Sequence, residues 1–230
     1  MRDAAYEPSR AFRFFDHFLT YDTTATTGDW RETEATGAGA KIDGHGGIVQ
    51  LAGTTTDDQG VQIQSSSEVF LPGAAGRKVW FEARVKISEV GKCQFFAGLA
   101  KIDTTIFAAG ELTAAGTTPR IGFYMSATSQ AASAGRLQFT SGDATGSNDA
   151  VSQSAFLLTS ATWHLIGFEF DYDRARVRLF LDGVLVEDMA LTTANIPAEE
   201  LCVSFAAYSE LTPSATLTAD LDYVDVIATV

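Results

Sequence analysis

Between Val79 and Ile87 apolar and polar residues alternate without a break. Val79, Phe81, Ala83, Val85 and Ile87 fall on one side of an extended chain, and Trp80, Glu82, Arg84 and Lys86 on the other. That period of two predicts a strand with one buried face, because helical spacing would mix the two classes. Gln94–Ile102 is apolar on both sides, as expected of a central strand covered twice. The stretch from Trp163 to Leu191 predicts a three-strand meander, at about 163–172, 176–181 and 184–190, with Asp182-Gly183 as its second turn. Shorter strands are predicted over Phe12–Leu19, Trp30–Ala35, Lys41–Asp43, Ile48–Ala52, Val61–Gln64, Glu68–Leu71, Ile121–Ser126, Arg136–Thr140, Leu201–Tyr208 and Thr216–Thr229. Gly44-His45-Gly46-Gly47 reads as a hairpin turn. Segments 103–119, 127–135 and 141–154, rich in Ala, Thr, Ser and Gly, read as long surface loops. Residues 1–11, with Pro8 and no usable period, read as an extended N-terminal arm.

About a dozen short strands and no amphipathic helix longer than two turns predict an all-β, antiparallel two-sheet sandwich. With no internal repeat and no long linker, residues 12–230 are expected to form one domain. The 230 residues are 46% hydrophobic, enough for a packed core, and no 18-residue apolar run predicts a membrane span. The charged N-terminus has no apolar run of the kind a signal peptide needs. Cys93 and Cys202 sit far apart in apolar runs and are expected to be buried free thiols.

The net charge of −13 has the wrong sign for binding phosphate backbones or anionic lipid, so neither nucleic acid nor membrane is an expected partner. The charge is uneven. Residues 1–13 hold Arg2, Arg10 and Arg13 against Asp3 and Glu7, a net +1 that leaves −14 for the rest.

The strongest catalytic pattern is Glu169-Phe170-Asp171-Tyr172-Asp173. Alternate carboxylates on one strand face resemble the acid/base strand of laminarinase-like and lichenase-like glycosidases, and sugar-bond hydrolysis needs two such groups at a set separation. The hairpin offers a competing explanation. If the turn after Tyr172 has two or four residues, Ile166, Phe168, Phe170 and Tyr172 share a face with Val177, Leu179 and Leu181. Glu169 and Asp171 then share the opposite face with Arg176 and Arg178, as structural cross-strand pairs with lowered acid pKa values. No catalytic residue is therefore expected.

Gly73-Ala74-Ala75-Gly76-Arg77-Lys78 has the wrong spacing for a phosphate loop and reads as a turn. His17, His45 and His164 lie too far apart to suggest zinc. Asp220, Asp222 and Asp225 could join loop acids to hold calcium, but acidic strand edges that deter aggregation are the favoured reading. No cofactor is expected.

Two resemblances add to this. The meander from Trp163 to Asp188, with Phe180-Leu181-Asp182-Gly183, and the closing run from Thr218 to Val226 resemble the core of laminin G-like and concanavalin A-like jelly rolls. That implies the jelly-roll form of the sandwich, which hosts lectins, glycosidases and structural modules alike. Phe15-Asp16-His17-Phe18, the run Tyr21–Trp30, the run Lys78–Lys86 and Asn195-Ile196-Pro197 are similar to a group of tailed-bacteriophage virion proteins. This second resemblance implies a non-catalytic protein that decorates or cements a capsid by binding the major capsid protein or neighbouring virion proteins. It would act on the capsid surface after assembly in the host cytoplasm, with a homo-oligomer as one form it could take. On that reading the arm residues Arg2, Tyr6 and Arg10, with Phe12, make the contacts. Alternatives are a tail or fibre component, or a carbohydrate-binding lectin-like module whose aromatics Tyr124, Trp80 or Tyr208 stack on a surface glycan. A glycoside hydrolase using Glu169 and Asp171 is the least favoured.

Overall fold

The computed structural model describes residues 11–23, 28–42, 47–102, 105–113, 118–126, 134–143, 150–152, 156–210 and 216–229. Their strands are, in order, β1 (Ala11–Asp16), β2 (Trp30–Ala35), β3 (Ala38–Lys41), β4 (Val49–Ala52), β5 (Gly60–Ser65), β6 (Lys78–Ile87), β7 (Cys93–Ala100), β8 (Phe107–Ala108), β9 (Glu111–Leu112), β10 (Arg120–Met125), β11 (Arg136–Gly142), β12 (Ala150–Val151), β13 (Phe156–Leu157), β14 (Trp163–Asp171), β15 (Arg176–Leu181), β16 (Val184–Ala190), β17 (Cys202–Ser209) and β18 (Thr218–Thr229). The arm and the turn at His45 lie outside the described residues.

Two large antiparallel sheets form a jelly-roll sandwich. The first runs β16-β15-β14-β6-β18-β4-β3, with β1 also paired to β18. The second runs β12-β11-β10-β7-β17-β5-β2, with β13 paired to β11. Chain neighbours often lie in opposite sheets, so most pairings, such as β6 with β18, join distant segments. No helix among the described residues is long and apolar enough to cross a membrane.

The alternation read from the sequence becomes the core. Phe81 and Phe168 of the first sheet stack at 5.3 Å with planes 9° apart. Phe123, Phe139 and Phe205 reach them from the second sheet, with ring centres 5.4–6.3 Å away. All five rings are fully buried. Offset and edge-on contacts of this kind add about 0.5–1.5 kcal/mol per pair beyond burial.

The meander takes the register that its charges require. Asp171 faces Arg176 across a four-residue turn, placing Phe168 and Phe170 beside Leu179 and Val177 in the core. Leu181 faces Val184 across the two-residue turn at Asp182 (φ 51°) and Gly183 (φ 78°). Both positive φ values match the turn type whose twist suits a hairpin. A Cβ on Gly183 would touch nothing within 4 Å, so Gly183→Ala tests conformation alone. We expect a loss of about 1 kcal/mol in a urea melt.

Four expectations are corrected. The strand expected over Lys41–Asp43 lies earlier, at Ala38–Lys41. Segment 141–154, expected as a surface loop, continues β11 to Gly142 and pairs Ala150–Val151 with it. Glu68–Leu71 forms only an isolated bridge between Phe70 and Leu201. Segment 103–119 is no free surface loop, because part of it makes the β8–β9 hairpin. The hairpin lies over the outer face of the second sheet, where Ile106 and Phe107 pack with Phe96, Ala100, Tyr124, Ala206 and Tyr208 in a second small core. Gln62 accepts the Ile106 N–H at 2.9 Å, and Gln64 donates to the Lys101 carbonyl at 3.0 Å, so the polar strip beneath is bonded to its cover. Central strand β7 is consequently buried on both faces.

Candidate functional site: the outer face of the first sheet

The second sheet being covered by its own chain, the open face belongs to the first. Its polar positions come from alternate residues of β6, β14, β15, β18 and β1, and most are paired. Glu169 takes a bond from Arg178 at 3.2 Å. Asp171 pairs with Lys78 at 3.1 Å and lies 3.7 Å from Arg174, while Arg176 turns to Asp188 at 2.9 Å. Of the two cross-strand pairs expected in the hairpin, the structure brings together Glu169–Arg178 but not Asp171–Arg176. The reason is the neighbouring strand: Asp171 also faces Lys78 of β6, a pairing no hairpin argument includes.

Burial works to raise the Asp171 carboxyl, but bonds from the Lys78 ammonium and the Arg174 N–H outweigh it and hold the group below its ordinary value. An acid held ionised in this way does not keep a proton for a leaving group at neutral pH. The gap among Glu169, Asp171, Arg174, Arg176 and Arg178 is only about 30 Å3.

The acids of β18 are engaged too. Asp220 bonds to Lys86 at 2.7 Å and accepts from Gln50 at 2.8 Å. Asp222 bonds to Arg84 at 2.5 Å, and Asp225 to Arg13 at 2.8 Å. Strand β18 lies inside the first sheet rather than at its edge, so these acids do not guard an edge; each answers a cation on a neighbouring strand. His164 sits between the Thr159 N–H, which its Nε2 accepts at 3.0 Å, and Asp182, 3.0 Å from its Nδ1. Cys93 and Cys202 are buried free thiols; burial pushes Cys93 up, and Cys202 to about 12.

Of the aromatics expected to offer a stacking surface, Tyr124 and Tyr208 are on strands and lie in the small core under the β8–β9 hairpin. Trp80 is different. It stands on the outer face of β6, half-buried, 5.2 Å from Phe180 with planes 52° apart. Together with Glu82, Leu165, Gly167 and Gly183 these rings line a shallow groove of about 140 Å3. Gly167, facing Glu82 on one side and Phe180 on the other, leaves the floor bare between the rings. Glu82 accepts the Tyr223 hydroxyl at 2.8 Å, and a carboxylate has acceptor capacity beyond one bond. Trp163 offers no comparable face, since Arg84 and Lys86 lie 4.6 and 4.9 Å from its ring centre.

Arg2, Tyr6 and Arg10 lie outside the described residues. Phe12 is 41% exposed, meets Phe70 edge-on at 5.6 Å, and lines two adjoining clefts with Val69.

A feature that sequence reading missed lies at one end of the second sheet. Candidate ligand oxygens of Asp57, Asp58 and Glu210 all fall within 4.8 Å of one another. Burial, followed by the charges of Asp57, Asp58 and Glu111, raises the Glu210 carboxyl above its ordinary 4.5, against an opposing bond from Gln94. The unfolded chain therefore releases this proton at lower pH than the folded one. Glu210 favours the fold most below pH 4.5, and that contribution is lost as pH rises through the folded value. In chelator, Glu210→Gln is expected to flatten the fall in stability above pH 4.5; urea midpoints that track the wild type from pH 4 to 7 would refute this.

No family model matches the sequence, and no curated protein matches it. Solved structures do match in fold. Arcelin-5, a lectin-like defense protein from Phaseolus vulgaris, superposes with a TM-score of 0.66 at 12% identity, covering 95% of this chain and 98% of that one. The Bacillus licheniformis β-glucanase gives 0.61 at 14%, covering 93% and 97%. A prokaryotic β-1,3-1,4-glucanase (lichenase) from a mouse hindgut metagenome gives 0.60 at 14%, covering 93% and 98%. The fold is thus the concanavalin A-like jelly roll of glucanases and lectins.

The expectation of a non-catalytic phage virion protein that cements a capsid is corrected by these matches. They are glycoside hydrolases and a lectin-like protein, and none of these is a virion component. Of the sequence runs that resemble virion proteins, Lys78–Lys86 lies in β6, Phe15 and Asp16 end β1, and Trp30 is the buried start of β2. The same matches remove the ground for expecting no enzyme, since this fold carries glucan hydrolysis and lectin-like proteins alike.

Proposed function

We propose that this chain recognises a β-linked polysaccharide on the outer face of the first sheet, with Trp80 as the stacking platform. The groove between Trp80 and Phe180 carries the reading. A pyranose ring has an apolar face and an equatorial rim of hydroxyls. It therefore suits an aromatic floor flanked by an acceptor, which Trp80, Phe180 and Glu82 supply. At about 140 Å3 the groove lies below the roughly 300–1,000 Å3 of sites that engulf a small ligand. That suits a chain resting one ring on the surface and continuing to either side. The β-1,3 and mixed β-1,3-1,4 linkages named for similarly folded glucanases make β-glucans the first ligands to try.

Calorimetric titration with soluble β-1,3- and β-1,3-1,4-glucan oligosaccharides tests this. The wild type is expected to saturate. Trp80→Ala should weaken binding at least about tenfold, or ~1.4 kcal/mol, while Trp163→Ala leaves it unchanged. Assaying the same mixtures for new reducing ends reads hydrolysis directly. Equal binding by Trp80→Ala, or no binding to any β-glucan, would overturn the proposal.

A further inference from the structure

We infer that the groove between Trp80 and Phe180 selects a sugar that carries a positive charge, so that its preferred ligand is a β-linked polysaccharide of amino sugars with free amines. This rests on the glycan reading above and narrows it, and it turns on Glu82. The other acids of β6, β14 and β18 all meet a cation. Glu169 meets Arg178, Asp171 meets Lys78, Asp220 meets Lys86, Asp222 meets Arg84 and Asp225 meets Arg13. Glu82, in the midst of these strands, has no basic partner among the described residues; the hydrogen bond it accepts comes from the neutral Tyr223 hydroxyl at 2.8 Å.

The strand register makes this arrangement unfavourable without a ligand. Glu82 stands directly opposite Asp225 on β18, and like charges so placed repel. Arg13 does not serve both acids, because its Nε and Nη2 donate to the two Asp225 oxygens at 2.8 and 2.9 Å. On its other side Glu82 faces Gly167, which has no side chain to answer it. A half-buried carboxylate with acceptor capacity to spare therefore borders a groove lined by two aromatic rings.

Such a set of groups suits an ammonium. A cation within about 6 Å of an aromatic ring is drawn to the negative face of its π system, and a carboxylate adds a charge-assisted hydrogen bond. Trp80 and Glu82 are alternate residues on one face of β6, and Phe180 lies beyond Gly167 in the same row. A β-linked glucosamine ring resting on Trp80 carries its amine equatorially, at the rim of the ring, where Glu82 borders the groove. Neutral glucose brings only a hydroxyl there. Uronic acids and sulfated sugars are disfavoured, since they would meet an unanswered carboxylate on a chain of net charge −13. A lysine side chain also ends in an ammonium, but it has no flat apolar ring to cover Trp80 and would leave the bare floor at Gly167 unfilled.

The test titrates the full chain calorimetrically with glucosamine hexamer, its N-acetylated form and cellohexaose, all β-1,4-linked, in a weakly acid buffer that keeps the amine protonated. Salt at about 0.15 M screens exposed charges beyond roughly 8 Å and so suppresses unspecific attraction. The wild type is expected to bind the glucosamine hexamer at least about tenfold more tightly than either neutral oligosaccharide. Glu82→Gln should bring that ratio to about one, whereas Asp57→Asn, which removes an equal charge from an exposed position before β5 in the other sheet, should preserve it. Glu82→Gln should also melt at or above the wild type, because the repulsion with Asp225 is relieved while the amide oxygen can still accept the Tyr223 hydroxyl. Equal wild-type affinity for charged and neutral hexamers overturns this inference and leaves the glycan reading standing. Failure of all three, and of the mixed-linkage oligosaccharides as well, overturns both. A preference that survives Glu82→Gln, or a lysine hexapeptide that binds as tightly as the glucosamine hexamer, also overturns it.

Discussion

Replacing Trp30 by alanine is expected to remove about 3–5 kcal/mol of stability, a large part of what a domain of this size has. Trp30 is fully buried where β2 begins, among Phe14, Phe18 and Phe205, with ring centres 5.3–6.1 Å away. Its indole N–H donates to Asp16 at 2.7 Å, and the other Asp16 oxygen accepts the Phe18 N–H at 2.6 Å. Phe18 itself holds φ at +53°, so that bond supports a backbone turn most side chains avoid. Truncation therefore opens a cavity between the sheets and strips a donor from a partly buried carboxylate. Trp30→Phe, keeping a ring but losing the N–H, should cost less, about 1–3 kcal/mol. Urea denaturation of both variants separates the two contributions; equal losses would mean the hydrogen bond contributes almost everything.

The second large effect concerns the cover on the second sheet. Ile106→Ala/Phe107→Ala deletes two buried side chains, changes that each cost about 2–5 kcal/mol at a well-packed site. The β8–β9 hairpin has only two residues per strand, so the loss should appear first as local opening rather than global unfolding. The Thr113 N–H, which donates to the Ile106 carbonyl at 2.9 Å, should lose its protection from hydrogen exchange. Tyr208, 6.0 Å from Phe107, should become open to a fluorescence quencher. The amides of β7 should stay protected, because that strand bonds to β10 on one side and β17 on the other. Simultaneous loss of protection in β7 would show that the cover and the sandwich form one cooperative unit.

The contrast between hairpin and cover shows what the sequence could disclose. The local alternation was legible in several strands: β2, β6, β15 and β16 lie where their patterns place them, and the Asp182-Gly183 turn fixes its register. The pairing of Glu169 with Arg178 follows from the same local logic. Asp171 departs from it because Lys78, a strand away in space but far along the chain, competes with Arg176. Long-range neighbours of this kind leave no local trace.

The cover was hidden for another reason. Ile106-Phe107 is a short apolar pair in a segment dominated by Ala, Thr and Gly, and only the double-sided burial of β7 hinted that something had to lie over it. Tyr124 and Tyr208 looked as available as Trp80 until that layer was seen. The acidic cluster was equally invisible, since Asp58 and Glu210 meet only because β5 and β17 are adjacent.

The claim on which the functional account depends is that Trp80, alone among the three tryptophans, presents its ring for a ligand. The indole N–H signals of Trp30, Trp80 and Trp163 in a nitrogen-edited NMR spectrum read this directly during titration with a β-1,3-1,4-glucan hexasaccharide. The account predicts that the Trp80 signal moves progressively, together with amides at Gly167 and Phe180, while Trp30 stays fixed in the core. A spectrum in which Trp80 does not move, or in which the shifts fall instead on Tyr124 and Tyr208, would contradict it.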